Sequence, residues 1–246
     1  MPIEYSEEHV EKRLSPRERS EPEAIARLRS EAMLLSRLST LRVTPRLLAS
    51  GEDAAGPWHR IERVHVPTLA ARLGHAPLDR SWIEHAVRAT FAALSLLHEA
   101  VDASGPLSVV HADLTPANIA IDDQAARAIV LDFDLAWWRD GPTRDGAFRG
   151  TIGYAAPEIA RGERPTTRSD LFSLAATLLH AATGVPPRSG TSFAALLAEA
   201  GEAPLLSTVH AALAERGPGH AALLACLAHD PAERPASARS VLAMLH

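Results

Sequence analysis

Apolar positions along the chain follow two rhythms, and each predicts its own kind of element. Near the N-terminus Val10, Lys12 and Leu14 alternate with charged neighbours, so Lys12 shares one face of a short strand with two aliphatic side chains. A charged linker containing Pro16 and Pro22 follows, and then residues 23–38 read as a helix. Ile25, Leu28, Leu35 and Leu38 fall at helical spacing there, with Glu31 near the middle. Residues 45–51 and 58–64 suggest two strands joined by a Gly/Pro turn. From 79 to 99 the helical period returns, with Asp79 as N-cap and Ile83, Val87, Phe91, Leu94 and His98 along the buried side. A Gly-Pro break leads through Val109 and Val110 into a polar loop, and Ala128 to Leu131 form an apolar strand-like run. Ser169 and Asp170 open a further helix, which Gly184 and the prolines behind it end. Periodic runs at 193–200, 205–213, 221–228 and 237–245 complete a helical C-terminal part.

Composition narrows the class. A chain of 246 residues can bury a full core, as one two-lobed domain or two small ones. With 25 basic against 30 acidic side chains and no basic stripe, nucleic acid and anionic membranes are poor partners. The longest nearly uncharged helical stretch, 171–182, is too short to span a bilayer. The N-terminus carries Glu4, Glu7 and Glu8 where a signal peptide would be cationic and then apolar, which implies a cytoplasmic protein. The lone Cys226 lies in an apolar helical run and reads as a buried small hydrophobe. Many of the twelve histidines follow or flank Ala or Leu on helices and show no metal-ligand spacing, and these read as caps and surface positions. There are 24 arginines but a single lysine, Lys12. In a chain that supplies positive charge as Arg, a solitary Lys points to a place that needs a compact ammonium rather than a planar guanidinium.

The candidate chemistry lies in His111-Ala-Asp-Leu-Thr-Pro-Ala-Asn118 and, fourteen residues on, Asp132-Phe133-Asp134. An Asp and an Asn five apart, then another Asp after a short strand, can gather a proton acceptor and two oxygen ligands for a hard divalent cation. That combination serves phosphoryl transfer.

These two runs resemble the catalytic loop and metal-binding motif of eukaryotic-like protein kinases, usually spelled HRDLKPEN and DFG. Gly150-Thr-Ile-Gly-Tyr-Ala-Ala-Pro-Glu158 is similar to the GTxxYxAPE end of a protein-kinase activation segment, which small-molecule kinases of the superfamily generally lack. The resemblance covers the chain from about Val10 onward. It implies an α+β fold of two lobes: a small β-rich N-lobe over about 1–64 and a larger α-helical C-lobe over 65–246. It implies a bacterial-type Ser/Thr protein kinase using ATP and Mg²⁺ on a protein or peptide substrate. By the same resemblance Asp113 accepts or orients the proton of the acceptor hydroxyl, and Asn118 and Asp132 ligate Mg²⁺. Lys12 holds the α- and β-phosphates while paired with Glu31, nineteen residues later. Ile61 is the gatekeeper, and the backbone of Glu62 and Val64 meets the adenine edge. Thr151 contacts Asp113, His111 and Phe133 stack in the apolar spine, Glu158 pairs with Arg234, and Asp170 holds the backbone of the catalytic loop.

The spelling departs from the family at four points. Eleven residues precede Lys12 and the first glycine is Gly51, so no Gly-rich loop covers the phosphates. Either the reading frame begins too late, the small lobe is abbreviated, or a partner completes it. Thr115 replaces the catalytic-loop Lys, and Asp134 replaces the DFG glycine, where it ligates a cation or caps the next turn. Two alternatives to a protein kinase stand beside it: a pseudokinase serving as a nucleotide-binding or scaffold module, and a phosphotransferase tailoring a peptide or metabolite. Finally, Ala112 stands where many protein kinases have the Arg that receives a phosphorylated activation loop, so loop phosphorylation is not required. Replacing Thr143 with Val accordingly leaves phosphoryl transfer at the unaltered level, measured as label incorporated into an acceptor; loss of transfer contradicts this reading.

Overall fold

In the computed structural model, which describes residues 3–73, 78–143, 149–188, 192–202 and 218–245, the alternating N-terminal stretches build a four-stranded antiparallel sheet. Its strands β1 (Ile3–Tyr5), β2 (His9–Arg13), β3 (Leu47–Asp53) and β4 (Gly56–Glu62) lie in the order β1-β2-β4-β3. The three residues of β1 are all exposed, so no alternation of character announces that strand. Helix α1 (Pro22–Arg37) is inserted between β2 and β3 and packs on β3 and β4, with Pro22 in its first turn. Each strand of the β3–β4 hairpin runs two residues further towards the turn than expected, 47–53 and 56–62 rather than 45–51 and 58–64, so the turn is Ala54 and Ala55, not the Gly/Pro pair. Asp53 Oδ1 accepts the Ala55 N–H at 2.8 Å, and Gly56 takes φ 101°, which a side chain would resist. Pro57 can then lie inside β4, because pairing with β2 begins only at Trp58.

Helix α2 (Leu69–Leu73) leads to α3 (Arg80–His98), whose start is fixed by Asp79 Oδ1 accepting the Trp82 N–H at 2.7 Å, a cap of about 1 kcal/mol. Two short pairs follow, β5 (Val101–Asp102) with β6 (Gly105–Pro106) and β7 (Ile119–Asp122) with β8 (Arg127–Val130). The rest is helical: α4 (Pro157–Ala160), α5 (Thr167–Thr183), α6 (Phe193–Glu202), α7 (Pro218–Cys226) and α8 (Ala238–Ala243). The expected helix over 205–213 lies outside the described residues.

Helix α5 is the axis of this part. A reciprocal Thr166–Ser169 capping box starts it, twelve of its residues are buried, and Gly184 closes it in the left-handed conformation. Helix α3 packs against α5, α8 and the β7–β8 hairpin, burying Phe91, Leu94 and Leu97 with Leu171, Phe172 and Leu178 in the main core. Cys226 belongs to the same core, and burial pushes its thiol up to about 12, so it is the inert hydrophobe expected. Among the described residues no helix is long and apolar enough to cross a membrane. A small antiparallel sheet with one helix, followed by a helical body, is the α+β arrangement expected.

One buried ion pair staples the end of the chain to its middle. Arg234 Nη1 and Nη2 donate to Oε1 and Oε2 of Glu158 at 2.7 and 2.8 Å, and Ser169 Oγ donates to Oε1 at 2.7 Å. Burial alone would raise the Glu158 pKa, but the hydrogen bonds and charge of Arg234 hold it below its ordinary value. The stability this brings is present above that ordinary value and is lost as pH falls through the depressed one. Arg234→Met leaves Glu158 buried without its counterion and should cost about 3–5 kcal/mol at neutral pH. Urea unfolding should show that penalty shrinking as the pH drops towards 4.

Candidate active site

The loop of residues 111–118 is shaped from below by Asp170, in the first turn of α5. Its fully buried carboxylate accepts the N–H of His111 at 2.7 Å and of Ala112 at 2.9 Å, and His98 Nε2 lies 3.0 Å away. Held there, Ala112 adopts φ 65°, a left-handed conformation unusual for a residue with a Cβ. His111 is buried within this turn. Asp113 N–H donates to His111 Nδ1 at 3.3 Å, which leaves Nε2–H to donate to the Leu131 carbonyl at 2.9 Å. The ring meets Phe133 edge-on, centroids 4.9 Å apart, the stacking expected of these two residues.

Asp113 is held on both oxygens. Oδ1 accepts the Thr151 N–H at 2.9 Å and Oδ2 accepts Nδ2 of Asn118 at 3.1 Å. The expected Thr151 contact is therefore made by its main chain, not its hydroxyl. Gly150 permits it: a Cβ there would stand 3.3 Å from Asp113 Oδ1, on a backbone at φ 119°. Because Asn118 spends its amide N–H groups on Asp113, its Oδ1 is the atom left to act as a ligand.

The β7–β8 ladder brings the second acidic group alongside. Ile119 pairs with Val130, and Leu131 N–H donates to the Asn118 carbonyl at 2.8 Å, so Asn118 and Asp132 flank one end of the hairpin. Asp132 also takes a left-handed conformation, φ 61°. Across from it Lys12, on β2, is almost fully buried. Its Nζ donates to Glu31 Oε1 at 2.6 Å and to Asp132 Oδ1 at 2.7 Å, and Phe133 N–H reaches the same Glu31 oxygen at 3.1 Å. Burial would lower the Lys12 pKa, but the two carboxylates outweigh it and raise it. Burial likewise lifts Asp132, and Lys12 more than reverses this, so Asp132 is held ionised. At Glu31 burial wins over the pull of Lys12 and the carboxyl is raised.

The structure thus groups Lys12, Glu31 and Asp132 on one side and Asp113, Asn118 and Thr151 on the other, joined through the hairpin. Ile61 is buried on β4, and Glu62 and Val64 leave the end of that strand half-buried. The donor set fits Mg²⁺. A half-exposed carboxylate and an amide oxygen are hard ligands, and two of them leave most of an octahedron for phosphate and water.

Four contacts were not anticipated. Asp134 faces Arg27 of α1 at 3.4 Å, and burial raises its pKa against the pull of that guanidinium. Trp138 Nε1 donates to Ser30 Oγ at 2.8 Å, and Arg149 Nη2 to Glu23 Oε2 at 2.8 Å. His59, opposite Lys12 in the β2–β4 register, is fully buried beside Glu31. It corrects the reading of the histidines as caps and surface groups, as does buried His220. The signal was available for His59: in an alternating strand it shares the inward face with Ile61, two residues on.

The family model for the protein kinase domain matches residues 3–244. Among curated proteins, serine/threonine-protein kinase PknF of Mycobacterium tuberculosis is 38% identical over 100 residues, covering 38% of this chain and 21% of its own. The DNA damage-responsive serine/threonine-protein kinase RqkA of Deinococcus radiodurans is 41% identical over 107 residues, 42% of this chain and 15% of its own. Serine/threonine-protein kinase pkn3 of Myxococcus xanthus is 31% identical over 238 residues, 92% of this chain and 42% of its own. The chain thus spans less than half the length of each of these relatives.

The buried charges set a pH test. In Lys12→Met only the Phe133 N–H still opposes the burial of Glu31, whose pKa rises further, so around neutral pH the folded variant binds a proton there more readily than the unfolded chain does. A group raised in the folded state stabilises below its unfolded pKa and loses that contribution as pH rises. Lys12→Met should therefore lose stability relative to the unaltered chain between about pH 5 and 8. Urea midpoints across that range measure it; a constant difference contradicts the assignment.

Proposed function

Because this chain belongs to the protein kinase family, we propose that it transfers the γ-phosphoryl group of ATP, with Mg²⁺, to a Ser or Thr hydroxyl of a protein or peptide. The observation that carries this reading is the bridging ammonium of Lys12, 2.6 Å from Glu31 and 2.7 Å from Asp132, which ties β2 and α1 to the carboxylate beside Asn118. Mg-ATP, when bound, supplies the transferable group and the divalent charge that offsets negative charge growing on the phosphate oxygens.

The residues of the chain do the positioning. Residues 1–64 and 65–246 act as the two lobes of the cleft. Asp132 and Asn118 offer their oxygens to the cation. Lys12, kept ionised, holds the α- and β-phosphates, and Glu31 keeps it pointing into the cleft. Ile61 backs the adenine, whose edge meets the backbone of Glu62 and Val64. Asp113 accepts the hydrogen bond of the acceptor hydroxyl, aims its oxygen and takes its proton. With one carboxylate oxygen on the Thr151 N–H and the other on the Asn118 amide, its orientation is set before the acceptor arrives. The segment from Gly150 to Glu158 provides the acceptor platform.

Transfer of radiolabelled phosphate from ATP to a generic protein acceptor, with analysis of the phosphorylated residue, tests this. Label should appear on Ser or Thr. Asp113→Ala should lower the rate about a hundredfold or more, and Asp132→Ala should abolish it. Variants as fast as the unaltered chain, or label confined to Tyr, contradict the proposal.

A further inference from the structure

His59 lies outside the set this reaction uses, yet it faces that set directly. Both of its ring nitrogens lack a hydrogen-bond partner among the described residues. Its Nε2 is 3.5 Å from Oε2 of Glu31, which is also buried and without a partner, because Lys12 and the Phe133 N–H both use Oε1. Buried polar atoms left unsatisfied are costly, and a shift of about 0.5 Å brings these two to ordinary hydrogen-bond length. The charged groups around the ring are Lys12 from β2, Glu31 from α1 and Asp132 from beyond β8. Burial and the Lys12 charge lower the imidazole's pKa to about 4, so the ring is neutral and carries a single N–H.

We propose that His59 is a positioning residue for the Lys12–Glu31 pair: its Nε2–H donates to Glu31 Oε2 and fixes the carboxylate so that Oε1 stays with Lys12 and the Phe133 N–H. A neutral donor suits this place, since it orients the carboxylate without competing with Lys12 for its charge. It also gives β4 a polar grip on α1 beside the apolar packing. Glu31 keeps a partner even when Lys12 is drawn towards phosphate. The inference rests on the phosphoryl-transfer reading of that pair.

The test compares His59→Leu, which fills the space without a donor, with His59→Gln, whose amide can reach Glu31. His59→Leu should lower kcat/KM for ATP about tenfold, and His59→Gln should stay within about twofold of the unaltered chain. Lys12 is the only lysine, so its acylation by acetic anhydride, read on the peptide that contains it, reports the pair without any need for turnover. With Glu31 released, Lys12 should acylate several-fold faster in the Leu variant and at the original rate in the Gln variant. Leu and Gln variants that behave alike, or a Leu variant that matches the unaltered chain, overturn the proposal. If the unaltered chain transfers no phosphate, the proposed function fails, while the acylation rates still decide the role of His59. Should His59→Leu not fold, the imidazole nitrogen resonances of the unaltered protein decide. A ring protonated at Nε2 alone, unchanged between about pH 5.5 and 8, supports the role. An Nδ1-protonated or titrating ring overturns it.

Discussion

A single ammonium holds the cleft together. At Lys12 strand β2, helix α1 and the segment after β8 meet, through Glu31 and Asp132. Its choice over arginine follows from the geometry, since two carboxylates converge on one atom and a point charge with three donors serves them where a planar fork would not. The charges there do not balance. Two carboxylates face one ammonium, while the neighbouring Asp134 is offset by Arg27, so the excess negative charge sits at Asp132, the half-exposed member. A site with unspent negative charge facing solvent, next to an amide oxygen, favours a hard cation.

The same region fixes helix α1. Glu23, Arg27, Ser30 and Glu31 occupy one stripe of that helix, and each is tied to the stretch from Phe133 to Arg149: by Arg149, Asp134, Trp138 and the Phe133 N–H in turn. In a protein kinase that depends on a phosphorylated loop, ordering comes from new arginine–phosphate pairs. Here ion pairs and hydrogen bonds already join the helix to that stretch, and Ala112 leaves no guanidinium in the loop to receive a phosphate. Several modest contacts along one stripe resist rotation of α1 better than one pair at its centre, because tilting the helix must strain all of them together.

How much of this could be read from the sequence depends on the kind of signal. Long helices with strong periods and local caps were legible to within a residue or two, as at α1 and α3, and Asp79 was identifiable as a cap because the following helix gave it something to cap. The β3–β4 turn is tighter than expected because the weak turn signal of Ala54 and Ala55 lost to the louder Gly and Pro beside it. Motif residues close in sequence, such as Asp113 and Asn118, carried their geometry with them. The ties to α1 were hidden: Arg27–Asp134 and Ser30–Trp138 join positions more than a hundred residues apart, and nothing local marks a serine or an arginine on an otherwise amphipathic helix as one that faces inward.

The buried polar groups of the helical part make sense as a chain of support that ends at Asp113. Arg234 and Ser169 both grip Glu158, Ser169 also closes the capping box that starts α5, and the next residue, Asp170, holds the backbone of His111 and Ala112. That grip is needed because Ala112 sits in a left-handed conformation costing about 1 kcal/mol or more, which the surroundings must impose. Replacing these ionic and polar groups by apolar ones of like size would cost little net stability, since desolvation consumes most of what such a pair returns. What would be lost is direction. An apolar core can fill the same volume, but it cannot hold two particular N–H groups at 2.7 and 2.9 Å from one carboxylate and so turn the next side chain, Asp113, into the cleft.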